Sequence, residues 1–245
     1  QALYTNSTGV NNVAMGRRAL YLNTGSSNTA LGHQSLYNNS SGANNVAVGL
    51  SALKANTTGA SNVAIGTNAL DANTTGQLNT AVGYNALTAQ TADAYNTAVG
   101  GNSMEATTTG SFNAALGRLS LGANTTGGYN SAVGYEALVS NTTGTNNTAL
   151  GYEAGYSNTD QGSNVYIGYQ AAYNNNEDSN VAVGSQAMYS GTTANSNVSI
   201  GRNSLYAITT GNYNIAVGRS ALQSVTTASN NTAVGYRSLQ ANTAA

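Results

Sequence analysis

The chain contains no cysteine and no proline. Without cysteine there is neither a disulfide framework nor a thiolate metal site. Proline lacks the N–H that a ladder needs and is kept out of central strands. Its absence suits a fold in which nearly every residue is bonded above and below. Charge is scarce as well, with only 6 % of residues Asp, Glu, Lys or Arg, against roughly 25 % in an ordinary soluble domain. The net charge of −1 leaves no basic footprint for nucleic acid or for an anionic membrane. Hydrophobic residues make up 40 %, mainly Ala, Val and Leu, never in a run long enough to span a bilayer, so no membrane insertion is expected of this segment. No secretory leader is evident, but stacked hydrogen bonds can take the place of disulfides and keep an extracellular location open.

What the sequence does contain is one repeated stretch, Asn62-Val63-Ala64-Ile65-Gly66. It returns as Asn45-Val46-Ala47-Val48-Gly49, Asn79-Thr80-Ala81-Val82-Gly83, Asn130-Ser131-Ala132-Val133-Gly134 and Asn231-Thr232-Ala233-Val234-Gly235. Its glycine recurs fourteen times from Gly16 to Gly235, at intervals of 17 except for 16 before Gly32 and Gly184. So short a period, held so long, is the signature of a solenoid. Abundant Asn, Thr, Ser and Gly also fit a disordered chain, but disordered tracts lack aliphatic residues that return in phase. The expectation is an all-β fold: a parallel β-solenoid of about fourteen 17-residue coils, two short strands per coil, forming one continuous array over 1–245.

Within each repeat the residue before the glycine is aliphatic or Met, and the residue three before it is mostly Val or Thr. Alanine lies between them. Residues i and i+2 of a strand share a face, so the larger side chains should point one way, into the core, and alanine the other. Three and four residues after the glycine come Ala or Ser and then Leu or Met, with Gly155 and Ala172 as exceptions to Leu. This pair reads as a second strand packing its Leu on the Val/Ile row. A polar loop such as Asn56-Thr57-Thr58-Gly59 follows, its glycine suited to positive φ, and it degrades at Thr91-Ala92-Asp93. The asparagine four before the glycine never varies. Identical amides on stacked coils can bond along the stack, or each can shape its own turn. The ladder is the favoured reading for Asn45, Asn62, Asn79, Asn130 and Asn231, with Gly49, Gly66 and Gly83 as its structural glycines.

Three sizeable inward side chains per coil make a thin core. The small alanine rows would let the backbone of another copy approach, and a homotrimer meeting on those faces is the natural remedy. On this reading Ala64→Leu with Ala81→Leu would abolish assembly. Ala2-Leu3 is the Ala-Leu pair of a coil without its glycine, and Ala245 falls where a loop glycine is due. Both predict a window of a longer fibre.

Chemistry is thinly represented. The single His33 is at a variable position, and most acids stand alone. Glu177-Asp178 could touch Ca²⁺, but no aspartate-rich calcium repeat is present, and a solvated loop is the favoured reading. No cofactor, metal or catalytic set is expected, and an enzyme requires convergent titratable groups that the pattern does not supply. Asn-x-Ser/Thr triplets begin at Asn6, Asn38, Asn39, Asn56, Asn73, Asn124, Asn141, Asn146, Asn197 and Asn230, and permit glycosylation where the source has the machinery. Tyr84, Tyr95, Phe112, Tyr129, Tyr135 and Tyr152 are the candidate surface-contact residues, since rows of aromatics can bind a glycan or protein face. The competing reading is that they stack on one another and shield the coils.

The Asn-x-Ala-Val/Ile-Gly-x-x-Ala/Ser-Leu pattern resembles the head repeats of YadA-type trimeric autotransporter adhesins. It is still more similar to related repeats of bacteriophage tail fibres and other bacterial surface fibres, where the Asn-Thr-Thr-Gly loop is common. The resemblance covers essentially the whole chain and differs from the adhesin head in its longer loop. It implies a left-handed β-roll, three chains side by side, outside the cell or on a virion. The function expected is that of a structural and adhesive fibre segment whose partner is itself, and then a host-surface glycan or protein. The alternative is an ice-binding solenoid that orders water on the stacked Thr57-Thr58, Thr74-Thr75, Thr125-Thr126 and Thr142-Thr143.

Overall fold

Each recurring Val/Thr-Ala-Val/Ile triplet forms a strand, as β-branched residues flanking a small one favour. In the computed structural model, which describes residues 1–92 and 95–241, the chain is an all-β parallel β-solenoid. Asp93 and Ala245 lie outside the described residues. Two compact units divide it, Gln1–Thr126 and Gly127–Ala245. The first holds β1 (Val13–Met15), β2 (Thr29–Leu31), β3 (Val46–Val48), β4 (Val63–Ile65), β5 (Thr80–Val82), β6 (Thr97–Val99) and β7 (Ala114–Leu116). The second holds β8 (Ser131–Val133), β9 (Thr148–Leu150), β10 (Val165–Ile167), β11 (Val181–Val183), β12 (Val198–Ile200), β13 (Ile215–Val217) and β14 (Thr232–Val234). Within each unit the strands pair in chain order, all parallel. Like meets like across the register: Val63 faces Thr80, Ala64 faces Ala81 and Ile65 faces Val82.

Pairing extends well beyond the three strand residues. In the coil around Gly66, Asn68 N–H donates to Leu50 O at 2.9 Å, Leu70 N–H to Ala86 O at 3.0 Å, Thr74 N–H to Thr91 O at 2.7 Å and Leu78 N–H to Ala60 O at 3.1 Å. Backbone groups around most of the coil are satisfied by the coils on either side, which is the accounting a buried backbone requires. A residue without an N–H would break that accounting, which explains the missing proline.

The expected faces are reversed. Ala30, Ala47, Ala64, Ala81 and Ala98 are fully buried in the first unit, and Ala132, Ala182 and Ala216 in the second. The flanking side chains point outward: Ile65 is 40 %, Leu116 52 % and Leu150 48 % exposed. The strand alanine shares the interior with the Ala/Ser-Leu pair after the glycine, as with Ala69 and Leu70, and with buried asparagines. Those side chains leave room for only a methyl group on the strand side. The alanine rows are therefore core and cannot meet another chain, and Ala64→Leu with Ala81→Leu overpacks the interior instead of testing assembly.

Among the described residues the second predicted strand is absent: the Ala-Leu segment is a chain of turns. Asn68 has φ 57° and Leu70 φ 52°, and the same two positions are left-handed in almost every coil. An extended strand cannot accommodate two such residues in three. A left-handed Leu costs about 1–2 kcal/mol, and burying its side chain returns about 1.5–3 kcal/mol. Burial wins, so Leu is retained at a position where its backbone is strained.

Candidate functional site

Three sets of stacked side chains distinguish the coils: buried asparagines, exposed aliphatics and tyrosines. The invariant asparagine belongs to a ladder. Asn62 N–H donates to Asn45 Oδ1 at 2.9 Å, and Asn79 N–H to Asn62 Oδ1 at 3.0 Å. Asn62 Nδ2 reaches Asn45 Oδ1 at 3.2 Å and, across its own coil, Gly76 O at 2.8 Å. Asn45 repeats this with Asn28 and Gly59, and Asn231 donates twice to Asn214 Oδ1. In the second unit, Asn130 Nδ2 donates to Gly144 O and its Oδ1 accepts from Asn147 N–H. Asn45, Asn62 and Asn130 thus each link neighbouring coils and pin the loop of their own coil to the strand.

A second asparagine ladder runs through the loop. Asn56 Nδ2 donates to Asn39 Oδ1 at 2.8 Å and to Gly59 O at 2.9 Å, and Asn73 Nδ2 to Asn56 Oδ1 at 2.9 Å. The two ladders meet at the loop carbonyl, because Gly59 O accepts from both Asn45 and Asn56. The period of Asn56, Asn73, Asn124 and Asn141 was the available signal for it. Gly59 does not have positive φ; a Cβ there would collide with Asn56 Oδ1 and Gly76 O. Close packing, and not turn geometry, keeps this loop position a glycine. Burial also removes Asn39, Asn56, Asn73, Asn124, Asn141 and Asn197 as glycosylation acceptors in the folded chain.

Asn62→Ala would leave the buried Asn79 N–H without an acceptor and remove a donor from Gly76 O. A loss of about 2 kcal/mol is expected, read from the urea midpoint. A midpoint within error of the parent would show that water replaces the amide.

The aromatic candidates fall into stacks. Tyr95 and Phe112 have ring centroids 5.0 Å apart, and Tyr135, Tyr152 and Tyr169 follow one another at 5.4 Å. Tyr156, Tyr173, Tyr189 and Tyr206 form a second column in the same unit, at 4.8 to 5.3 Å. Ring faces inside these columns are covered by their neighbours, so edges and hydroxyls are what solvent meets. Tyr84 and Tyr129 are exposed, at 58 % and 62 %. The neighbouring Glu153 carboxylate, foremost by hydrogen bonding, pushes the Tyr152 phenol up to about 12.

Titratable groups do not converge. Among the described residues no three of His, Cys, Asp and Glu come within reach of one metal ion. His33 is half-buried. Asp160 is held below the usual carboxylate range by hydrogen bonds, first from Thr159 and then from Gln161 and Asn176. Asp178 accepts from Gly162 N–H at 2.5 Å. Burial pushes Asp71 up, while the Lys54 ammonium pulls it down. No described helix is long and apolar enough to cross a membrane.

The threonine rows divide in two. The first hydroxyl of the Thr57, Thr74 and Thr142 pairs donates to the next coil, as Thr57 Oγ1 to Thr74 O at 3.0 Å and Thr142 Oγ1 to Thr159 O at 2.9 Å. The second threonine, at Thr58, Thr75 and Thr143, is exposed.

One residue breaks the alanine rule with a bulky side chain. Tyr166 takes the alanine place of β10, is fully buried, and donates its hydroxyl to Asn175 Oδ1 at 2.8 Å. Burial, with a contribution from Asp178, pushes this phenol well above its ordinary value, so it remains a donor. Asn175 Nδ2 turns to Ala194 O at 3.0 Å, and among the described residues Asn158 Oδ1 is left without a partner.

Outside these columns lies the exposed face of the sheet. Val13, Met15, Ile65 and Leu116 project from the first unit and Leu150, Ile200, Ile215 and Val234 from the second. No family model matches the chain, and no curated protein or solved structure matches it significantly.

Proposed function

We propose that the chain is a structural fibre segment, a stiff β-solenoid that self-associates through the outer face of its sheet. The observation that carries this reading is the outward row of Val, Ile and Leu, which a chain with 6 % charged residues leaves in water. Contiguous apolar surface of this kind marks an interaction site. Its regular 17-residue register suits a partner built on the same spacing, and a second copy has that spacing. The likeness of the repeat to trimeric adhesin heads and phage tail fibres supports three copies, an extracellular or virion setting, and a role in presenting a binding region to a host glycan or protein. The buried asparagine ladders support stiffness and resistance to proteolysis. The ice-binding alternative draws less support, since one of the two threonine columns spends its hydroxyls on the neighbouring coil.

The test is the mass of the native particle. About three times the chain mass, or an indefinite fibre, is expected by sedimentation. Ile65→Lys with Ile200→Lys places a charge on each unit's exposed face, where the parent side chains are 40 % and 39 % exposed. At about 500 mM salt, where exposed ion pairs are screened, monomers with unchanged far-ultraviolet dichroism are expected. A monomeric parent, or an assembly indifferent to both lysines, would rule the reading out.

A further inference from the structure

A second surface of the Gly127–Ala245 unit carries its own partner information, independent of the apolar face. The two residues after each column glycine form a ribbon: Tyr135-Glu136, Tyr152-Glu153, Tyr169-Gln170, Ser185-Gln186, Arg202-Asn203, Arg219-Ser220 and Tyr236-Arg237. Its early coils are acidic and its late coils basic. The wider unit has the same polarity, with Glu136, Glu153, Asp160, Glu177 and Asp178 before Gly184, and Arg202, Arg219 and Arg237 after it.

We propose that this ribbon pairs two copies of the chain antiparallel, about a two-fold axis at the Ser185 coil. That axis sets the coil of Glu136 against that of Arg237, the coil of Glu153 against that of Arg219, and Tyr169 against Arg202. A two-fold interface is self-complementary, each patch meeting its counterpart on the partner. Parallel copies in register would instead set Glu on Glu and Arg on Arg. The Glu136 and Arg237 coils are six steps apart, about 29 Å at the spacing of paired strands. That exceeds the screening length of about 8–10 Å at ordinary salt, so neither end neutralises the other within one chain.

The side chains are arranged for this use. Glu153 Oε2 accepts from Gln170 Nε2 at 2.8 Å, and Gln170 Oε1 from Gln186 Nε2 at 3.2 Å, which fixes the acidic half. The Arg219 and Arg237 guanidinium carbons stand 5.9 and 5.1 Å from the Tyr236 ring centroid, which gathers the basic half around one ring. Arg202, Arg219 and Arg237 are all exposed. Opposed tyrosines and arginines add cation–π contacts across the pair.

Exposed ion pairs are weak and screened by salt, so the pairing should be visible at low salt. The test uses the full chain carrying Ile65→Lys and Ile200→Lys, which silences the apolar face. Sedimentation should give a dimer at about 20 mM salt whose association constant falls at least tenfold at about 500 mM. The parent has no cysteine, so single cysteines report the geometry. Under oxidation at low salt, Tyr169→Cys mixed with Arg202→Cys should form a disulfide-linked pair, while neither variant links to itself. Self-linking of each variant, no linking in the mixture, or a salt-independent dimer would overturn the proposal. If the apolar-face reading alone is wrong, the two lysines leave the parent's assembly unchanged and the mixed disulfide still forms.

Discussion

Tyr166→Ala should lose about 3–5 kcal/mol, the cost of emptying a large aromatic from a core, yet the same change should be nearly harmless alongside Gly155→Leu and Ala172→Leu. The reason lies in three coordinated departures from the repeat. Leu or Met stands four residues after every other column glycine, but this position is Gly in the coil before Tyr166 and Ala in its own. A Cβ on Gly155 would lie 2.5 Å from Tyr166 Cδ2 and 2.9 Å from both Tyr166 Cε2 and Leu138 Cδ2. The phenol ring thus fills space that leucine fills elsewhere. Gly155→Leu alone should clash and destabilise. The triple variant restores the common pattern at two left-handed positions, φ 65° and 51°, where leucine sits in other coils. It also releases Asn175 Oδ1 from the phenol, so the amide can turn its Nδ2 from Ala194 O to Asn158 Oδ1, which has no partner among the described residues. Thermal and urea unfolding of the parent and the three variants measures the coupling. A triple variant as unstable as Tyr166→Ala would refute the compensation.

Gly66→Ala should be among the most damaging single substitutions, above about 4 kcal/mol or enough to prevent cooperative folding of its unit. Two costs add there. Gly66 has φ +136°, and an added Cβ would lie 2.6 Å from the Gly83 carbonyl carbon. The obstructing atom is backbone held in a ladder, so it cannot step aside. Gly235 separates the two costs: its φ is +122°, but no described residue lies within 4 Å of the place an added methyl would take. Gly235→Ala should therefore lose only the conformational part, about 1–3 kcal/mol. Equal losses at the two sites would mean that coil contact contributes nothing.

The period and the strand were legible because glycine and asparagine recur at places where geometry tolerates little else. Which face of the strand is inside was not. Alternation groups Val63 with Ile65 and sets Ala64 apart, but it is symmetric between core and solvent. Size suggested that the aliphatics were buried, and the width of the coil interior decided otherwise. The segment after the glycine misled for a different reason. Nothing in the identity of Leu70 announces a left-handed backbone, because leucine seldom adopts one; the strain becomes visible only with the burial that offsets it. Tyr166 was legible in principle, since an aromatic at the alanine place coincides with missing leucines at Gly155 and Ala172. The opposition of Glu136 and Glu153 to Arg219 and Arg237 was equally present in the letters, but acquires meaning only when their coils are stacked in order.

The asparagine columns also bear on how the molecule ages. An exposed asparagine decays when the next backbone nitrogen attacks its side-chain carbonyl carbon and ammonia leaves. At Asn45, Asn62 and Asn79 the side chain is shut away from water, and the nitrogen that would attack belongs to a strand residue already donating to the next coil. A composition that looks perishable thereby becomes chemically durable, and the same contacts that align the coils also preserve their amides against time.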